Sequence, residues 1–149
     1  MKYHGLLFFF LPLAAAAVIT LACGSPKPIV PNCGAAAAEG NTTGVLTSIT
    51  VCPATADARN YSGGQVQFVA TGYFSTPPSP VTPLKAFWGA CYQNAPTNAV
   101  AITNTGMVQC AAGSEGTYSV FASIPTNCEA ISACGGGCQV SGYAELTCP

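Results

Sequence analysis

The stretch Gly63–Phe74, GGQVQFVATGYF, decides how this chain is read. Val66, Phe68 and Ala70 alternate with Gln65, Gln67 and Thr71. Successive side chains of a strand point to opposite faces, so this spacing predicts a strand with one buried and one wetter face. A glycine pair opens the run and Gly72 closes its regular part. Further on, the run AFWGAC carries Trp88. A phenylalanine inside one strand with a tryptophan on its neighbour is a common way to make the centre of a β-sandwich.

Working outward, Thr47, Ile49 and Val51 alternate with Ser48, Thr50 and Cys52, which predicts a first strand. Pro53 removes a ladder donor and should kink or end it. After the central strand, Pro77, Pro78, Pro80 and Pro83 make Ser75–Leu84 a stiff loop or a sheet edge. Ala86–Tyr92 reads as the Trp strand. Val100 and Ile102 mark another, and Asn104-Thr105-Gly106 signals a tight turn before Met107–Cys110 returns. Tyr118, Val120, Ala122 and Ile124 alternate with Ser119, Phe121 and Ser123. Pro125–Gln139 is a cysteine-rich loop. In the last strand Ala144, Leu146 and Cys148 alternate with Tyr143, Glu145 and Thr147. About seven short strands with frequent turns predict an all-β sandwich. Its expected core is Ile49, Val51, Val66, Phe68, Ala70, Trp88, Ile102, Val108, Tyr118, Val120, Ala122 and Leu146.

Composition limits what such a sandwich does. The chain has 149 residues, of which only 6% are charged, and a net charge of −1. Nucleic acid binding needs a basic stripe, and the sequence has none. With 16 glycines and 12 prolines the chain suits turns better than helices. Its length fits one domain with one core.

The N-terminus reads as a targeting segment. Lys2 and His4 precede the apolar run Leu6–Leu21, which is shorter than the ~20 residues of a spanning helix and is interrupted by Pro12. Thr20-Leu21-Ala22-Cys23 resembles a bacterial lipobox, in which the cysteine is acylated and becomes the first mature residue. The alternative is an ordinary secretory signal cut near Ala22. The expected organisation is a signal over 1–22, a Pro/Gly/Ala-rich tether over 23–45 and a folded domain over 46–149.

The cysteines fit this address. With Cys23 lipidated, the remainder of the nine can pair without a leftover thiol: Cys33, Cys52, Cys91, Cys110, Cys128, Cys134, Cys138 and Cys148. An exported chain meets an oxidising compartment, so disulfides are expected rather than a metal or redox pair. The spacing of Cys134 and Cys138 is not that of a C-x-x-C motif.

The runs ITVCPATADARNYSGGQVQFVATGYF, FWGAC, VAITNTGMVQCAAGSEGTYSVFASI and SGYAELTC together resemble the bacterial immunoglobulin-like domain of the group two type. The matching pieces are Pro53-Ala54, Gly63-Gly64, Gln67–Gly72, Trp88, Ala101–Val108 and Gly116–Val120, over about residues 45–149. The chain departs from the family in its Pro77–Pro83 segment, its wealth of cysteine and its insert Thr126–Val140. The resemblance implies an immunoglobulin-like sandwich serving as a surface or periplasmic spacer, adhesin part or accessory module, with no catalytic residue. In immunoglobulin-like sandwiches the first strand often runs parallel beside the last. On that ground a Cys52–Cys148 bridge is favoured, stabilising by on the order of 4–5 kcal/mol in the chain-entropy model. Cys91–Cys110 is a possible bridge between neighbouring strands, and Cys128, Cys134 and Cys138 would stiffen the final loop. These are choices among roughly a hundred connectivities.

The chemical inventory argues the same way. His4 is the single histidine and leaves with the signal, so triads and histidine zinc sites have no base or ligand in the mature chain. A Ser–Lys dyad of Ser79 with Lys85 competes with the plainer reading of a solvated lysine in a proline-rich loop. The acids Glu39, Asp57, Glu115, Glu129 and Glu145 are scattered in sequence. Phe74, Phe87 or Tyr92 beside Asn94 would form an aromatic platform only if they gather on one surface. The expectation is a non-enzymatic cell-envelope lipoprotein without a cofactor. Its partners would be the membrane, through the lipid, and a cell-surface protein or polysaccharide. The alternatives are a carbohydrate- or protein-binding module using exposed aromatics, a small secreted inhibitor presenting Ser75–Leu84 or Pro125–Gln139, or a small secreted hydrolase built on a spatial pair of acids.

Overall fold

A computed structural model of the chain describes residues 33, 43–125, 133–137 and 139–149. The signal segment, Cys23, the tether apart from Cys33 and residues 43–45, Cys128 and Cys138 lie outside the described residues. The chain forms an all-β, disulfide-stapled sandwich of immunoglobulin-like strand order. No helix among the described residues is long and apolar enough to cross a membrane.

The central strand is continuous in direction but changes partner at Phe68. Its first part, β3 (Gln65–Gln67), pairs with β8 (Met107–Cys110), which pairs in turn with β7 (Val100–Ile102). Its second part, β4 (Val69–Phe74), pairs with β1 (Leu46–Cys52). These strands make one layer. The other has the order β2 (Thr55–Asp57), β10 (Gln139–Cys148), β9 (Gly116–Pro125), β5 (Phe87–Tyr92) and β6 (Ala95–Pro96). The split of the central strand and the short β2 and β6 raise the count to ten among the described residues, against about seven expected.

Pro53 acts as the sequence suggested. The chain leaves the first layer at Cys52, and β2 joins the second layer parallel to β10, with Ala56 opposite Leu146. The Ala54 carbonyl accepts from the Glu145 amide at 2.9 Å. The proline segment covers an edge. Val81 exchanges backbone hydrogen bonds of 2.8 and 3.0 Å with Gly72, and Leu84 N donates to Ala70 O at 2.8 Å. Thr71 and Thr82 hydroxyls meet at 2.6 Å, so the covered edge leaves few donors open.

Between the layers the period-two pattern holds. Val66, Phe68, Val108, Val120, Ala122 and Leu146 are fully buried, and Ile49, Val51, Ala70 and Tyr118 are nearly so. The Tyr118 hydroxyl donates to the Glu115 carbonyl at 3.1 Å, which satisfies its polar end at the start of β9. Two expected core members sit differently. Trp88 and Ile102 are half-buried and pack against the rim of the core rather than at its centre. Trp88 closes one end, where Gly106 fits between it and the central strand. Gly106 has φ +80, and its carbonyl accepts from Phe68 N at 2.9 Å. A Cβ there would lie 2.5 Å from Phe68 O and 2.8 Å from the indole.

The disulfides correct the expected connectivity. Cys52 pairs with Cys33, not Cys148; Cys148 pairs with Cys110; and Cys91 pairs with Cys134, not Cys110. The reason is strand parity. On β1 the inward residues are Ile49 and Val51, so Cys52 points away from the core. On β10, Cys148 follows Ala144 and Leu146 inward, and on β8 Cys110 follows Val108. Cys110–Cys148 therefore spans the two layers. Cys91 has the parity opposite to Trp88 and Ala90, so it faces outward. Cys33–Cys52 pins the tether to the end of β1.

Candidate functional site

The surface that matters is the outer face of the second layer, the side turned away from the core. Register places Phe87, Ser123 and Ser141 in one row across it. Gly89, Phe121 and Tyr143 form the next, and Cys91, Ser119 and Glu145 the next. By period alone all of these face water. Three do not: Phe121 and Ser123 are each 1% exposed and Cys91 4%.

A loop makes the difference. Residues 133–137 lie over the sheet, held by Cys91–Cys134. The Ser141 hydroxyl donates to the Gly135 carbonyl, and the Tyr143 hydroxyl donates to the Cys134 carbonyl at 3.4 Å. A Cβ on Gly135 would come within 3.0 Å of the Phe121 ring, so glycine lets the loop lie close. Below the ring, a Cβ on Gly89 would lie 2.3 Å from Phe121 Cζ. Tyr143 leans on Phe121 with ring centroids 6.3 Å apart and remains 51% exposed. Ser123 Oγ is buried here without a hydrogen-bond partner among the described residues.

Beside this loop runs an open groove of about 740 Å³. Ser119 and Glu145 come from neighbouring strands of the sheet, and Tyr143 lines it farther along β10. Gln93 and Asn94, in the β5–β6 turn, contribute the other side. Both have positive φ, 50° and 63°, which sets the turn against the disulfide. A smaller and more apolar hollow of about 340 Å³ lies beside Trp88, with Leu84, Pro83 and Lys85 at its walls.

The groups weighed for catalysis each take their own place in the fold. The Ser79 hydroxyl accepts from the Phe74 amide at 2.9 Å and serves the proline loop. Lys85 is exposed at the other hollow. Asp57 caps the turn at Ala58–Asn60 by accepting from the Arg59 amide at 3.0 Å, and it binds the Arg59 guanidinium at 2.6 Å. These bonds from Arg59 hold the Asp57 carboxyl below its ordinary value. Among the described residues no group of three His, Cys, Asp or Glu side chains gathers to hold a metal ion. Glu39 and Glu129 lie outside the described residues.

The aromatic platform weighed as an alternative is not assembled. Phe87 is 66% exposed at the start of β5, while Tyr92 is at the other end with opposite parity. Tyr92 rests on Tyr118, with ring centroids 5.3 Å apart. Phe74 is half-buried in the other layer. Asn94 lines the same groove as Tyr143 instead. Sequence reading missed Tyr143, although its outward place beside Glu145 was visible in the alternation of the last strand.

Comparison with known proteins finds no family model and no curated protein that matches this chain.

Proposed function

We propose that this chain is a non-enzymatic, lipid-anchored module of a bacterial cell envelope. Its domain is of the group two bacterial immunoglobulin-like type, with a structural, adhesive or accessory interaction role. The observation that carries the reading is the disulfide set. Three bridges tie the tether to β1, one layer to the other, and the outer loop to β5. Such a set belongs to a chain that matures outside the reducing cytosol. The targeting segment and Thr20-Leu21-Ala22-Cys23 supply the anchor. Cys33, bound to Cys52, would fix the domain close behind that anchor. The family assignment rests on the order of the quoted motifs and on the strand order they produce.

Intact mass of the protein from its native host tests this. The expected result is a chain beginning at Cys23, carrying acyl groups and no free thiol, in the membrane fraction. A chain beginning elsewhere, or one with free cysteines in the cytosol, would sink the reading. A second reading, a secreted binding module, is favoured by the groove beside Tyr143.

A further inference from the structure

We propose that the groove between the β5–β6 turn and β10 is a recognition site for a neutral oligosaccharide. This goes beyond the envelope role and does not depend on the lipid anchor.

Its volume of about 740 Å³ falls inside the ~300–1,000 Å³ range of small-ligand sites. Its chemistry narrows the ligand by elimination. Among the described residues that line it, Glu145 is the single charged side chain. An anion would face that carboxylate with no cation to balance it. Among the described lining residues a metal ion would find only one acidic ligand. An apolar ligand would strand the amides of Gln93 and Asn94 and the hydroxyl of Ser119 without water or partner.

A polyhydroxylated, uncharged ring fits what remains. Side-chain amides offer both donors and acceptors, which matches neighbouring sugar hydroxyls. Glu145 accepts from hydroxyls. The half-exposed Tyr143 ring supplies an apolar surface for the C–H face of a pyranose. The side chains of Gln93, Asn94, Ser119 and Glu145 make no hydrogen bond to other described residues, so they are available.

The site is also rigid. Cys91–Cys134 fixes one wall. Tyr143 is held by Phe121 at its side and by the Cys134 carbonyl at its hydroxyl. Groups held in place before binding lose less freedom on binding.

The test is an NMR titration of the oxidised full chain with maltotetraose, cellotetraose and chitotetraose, and with a hyaluronan tetrasaccharide as the anionic comparator. The expected result is saturable binding of at least one neutral tetrasaccharide at or below about 10 mM, a weak but specific range. Shifts should centre on Gln93, Asn94, Ser119, Tyr143 and Glu145. Tyr143→Ala and Asn94→Gly should each weaken binding by about tenfold or more. Glycine suits the positive φ at 94, so that variant keeps the turn. Ser119→Ala removes one groove hydroxyl without touching a structural bond, and it should weaken binding by a few-fold. Phe87→Ala, on the same face but outside the groove lining, should change nothing. No shift with any of the neutral sugars overturns the proposal. So do shifts that map elsewhere, variants that bind as the parent does, or tighter binding of the anionic comparator.

Discussion

Phe68 and Phe121 are both almost wholly buried, at 0% and 1% exposure, but by different means. Phe68 lies between two layers, and the alternation of apolar residues on its own and facing strands already assigns it there. Phe121 lies on the opposite face of its sheet and is covered by a loop. That cover needs a glycine under the ring, a glycine over it, a tyrosine beside it and a disulfide to hold the loop down. Inner burial follows from periodicity and is shared by many strands. Outer burial depends on a few local pieces, each replaceable at a cost.

Truncating the two rings should give the largest effects and expose that difference. Phe68→Ala should cost about 3–5 kcal/mol in urea unfolding of the oxidised protein, because packed sheets cannot close over the cavity. Phe121→Ala should fall at or below the low end of that range, since a loop can settle into the gap. Equal costs would mean that the outer loop is packed as firmly as the sandwich itself.

The two bridges sharpen the same contrast. Cys110–Cys148 and Cys91–Cys134 span 38 and 43 residues, so loop entropy alone assigns each about 4 kcal/mol. Replacing both cysteines by alanine should cost nearly that for the inner bridge. For the outer bridge the loss should be less than half, because the freed loop regains motion in the folded state. Amide exchange at 133–137 should rise in the outer variant, while exchange in β9 stays slow. A full loss at the outer bridge would show that the loop stays ordered without it.

The bridges also show how much was legible in the sequence. The alternation that placed Ile49 and Val51 inward placed Cys52 outward. The same alternation on the last strand placed Cys148 inward with Leu146. Taken together, these parities forbid Cys52–Cys148, whatever the neighbourhood of the first and last strands. The parallel pairing itself occurs, but after Pro53, through Thr55–Asp57. What parity could not give is the cover over Phe121. Its serine neighbours Ser119 and Ser123 look like a wet face, and the covering residues arrive only after the chain has left β9. The groove was hidden for the same reason: its walls come from a turn, a loop and a strand that are distant in sequence.

Two glycines extend the contrast to smaller effects. At Gly106 a Cβ meets the backbone oxygen of Phe68, and the φ of +80 is itself unfavourable for alanine. Gly106→Ala should therefore cost about 3 kcal/mol, since neither atom can step aside. At Gly89 the obstacle is the end of the Phe121 ring, whose cover is a loop. Gly89→Ala should cost about 1–2 kcal/mol and lift the loop, visible as a change at the Tyr143 ring in NMR spectra. The reverse order would contradict the picture of a firm inside and an adaptable outside.

The smallest effect belongs to neither region. Asp57 is at the surface where the chain crosses between layers, and Arg59 holds its carboxyl below the ordinary value. A carboxyl whose value is depressed in the folded state adds stability above its unfolded value and loses it as pH falls through the folded one. Its contribution should thus be complete at neutral pH and fade through the acid range below about pH 4. Exposure to solvent keeps it small. In Asp57→Asn, the unfolding midpoint should drop slightly at neutral pH and lose part of its acid dependence. Adding salt should narrow the gap between variant and parent, because screening weakens the charged pair. A gap as large as that of the outer bridge would mean that the crossing at Pro53, not the covered face, is the more fragile part of this sandwich.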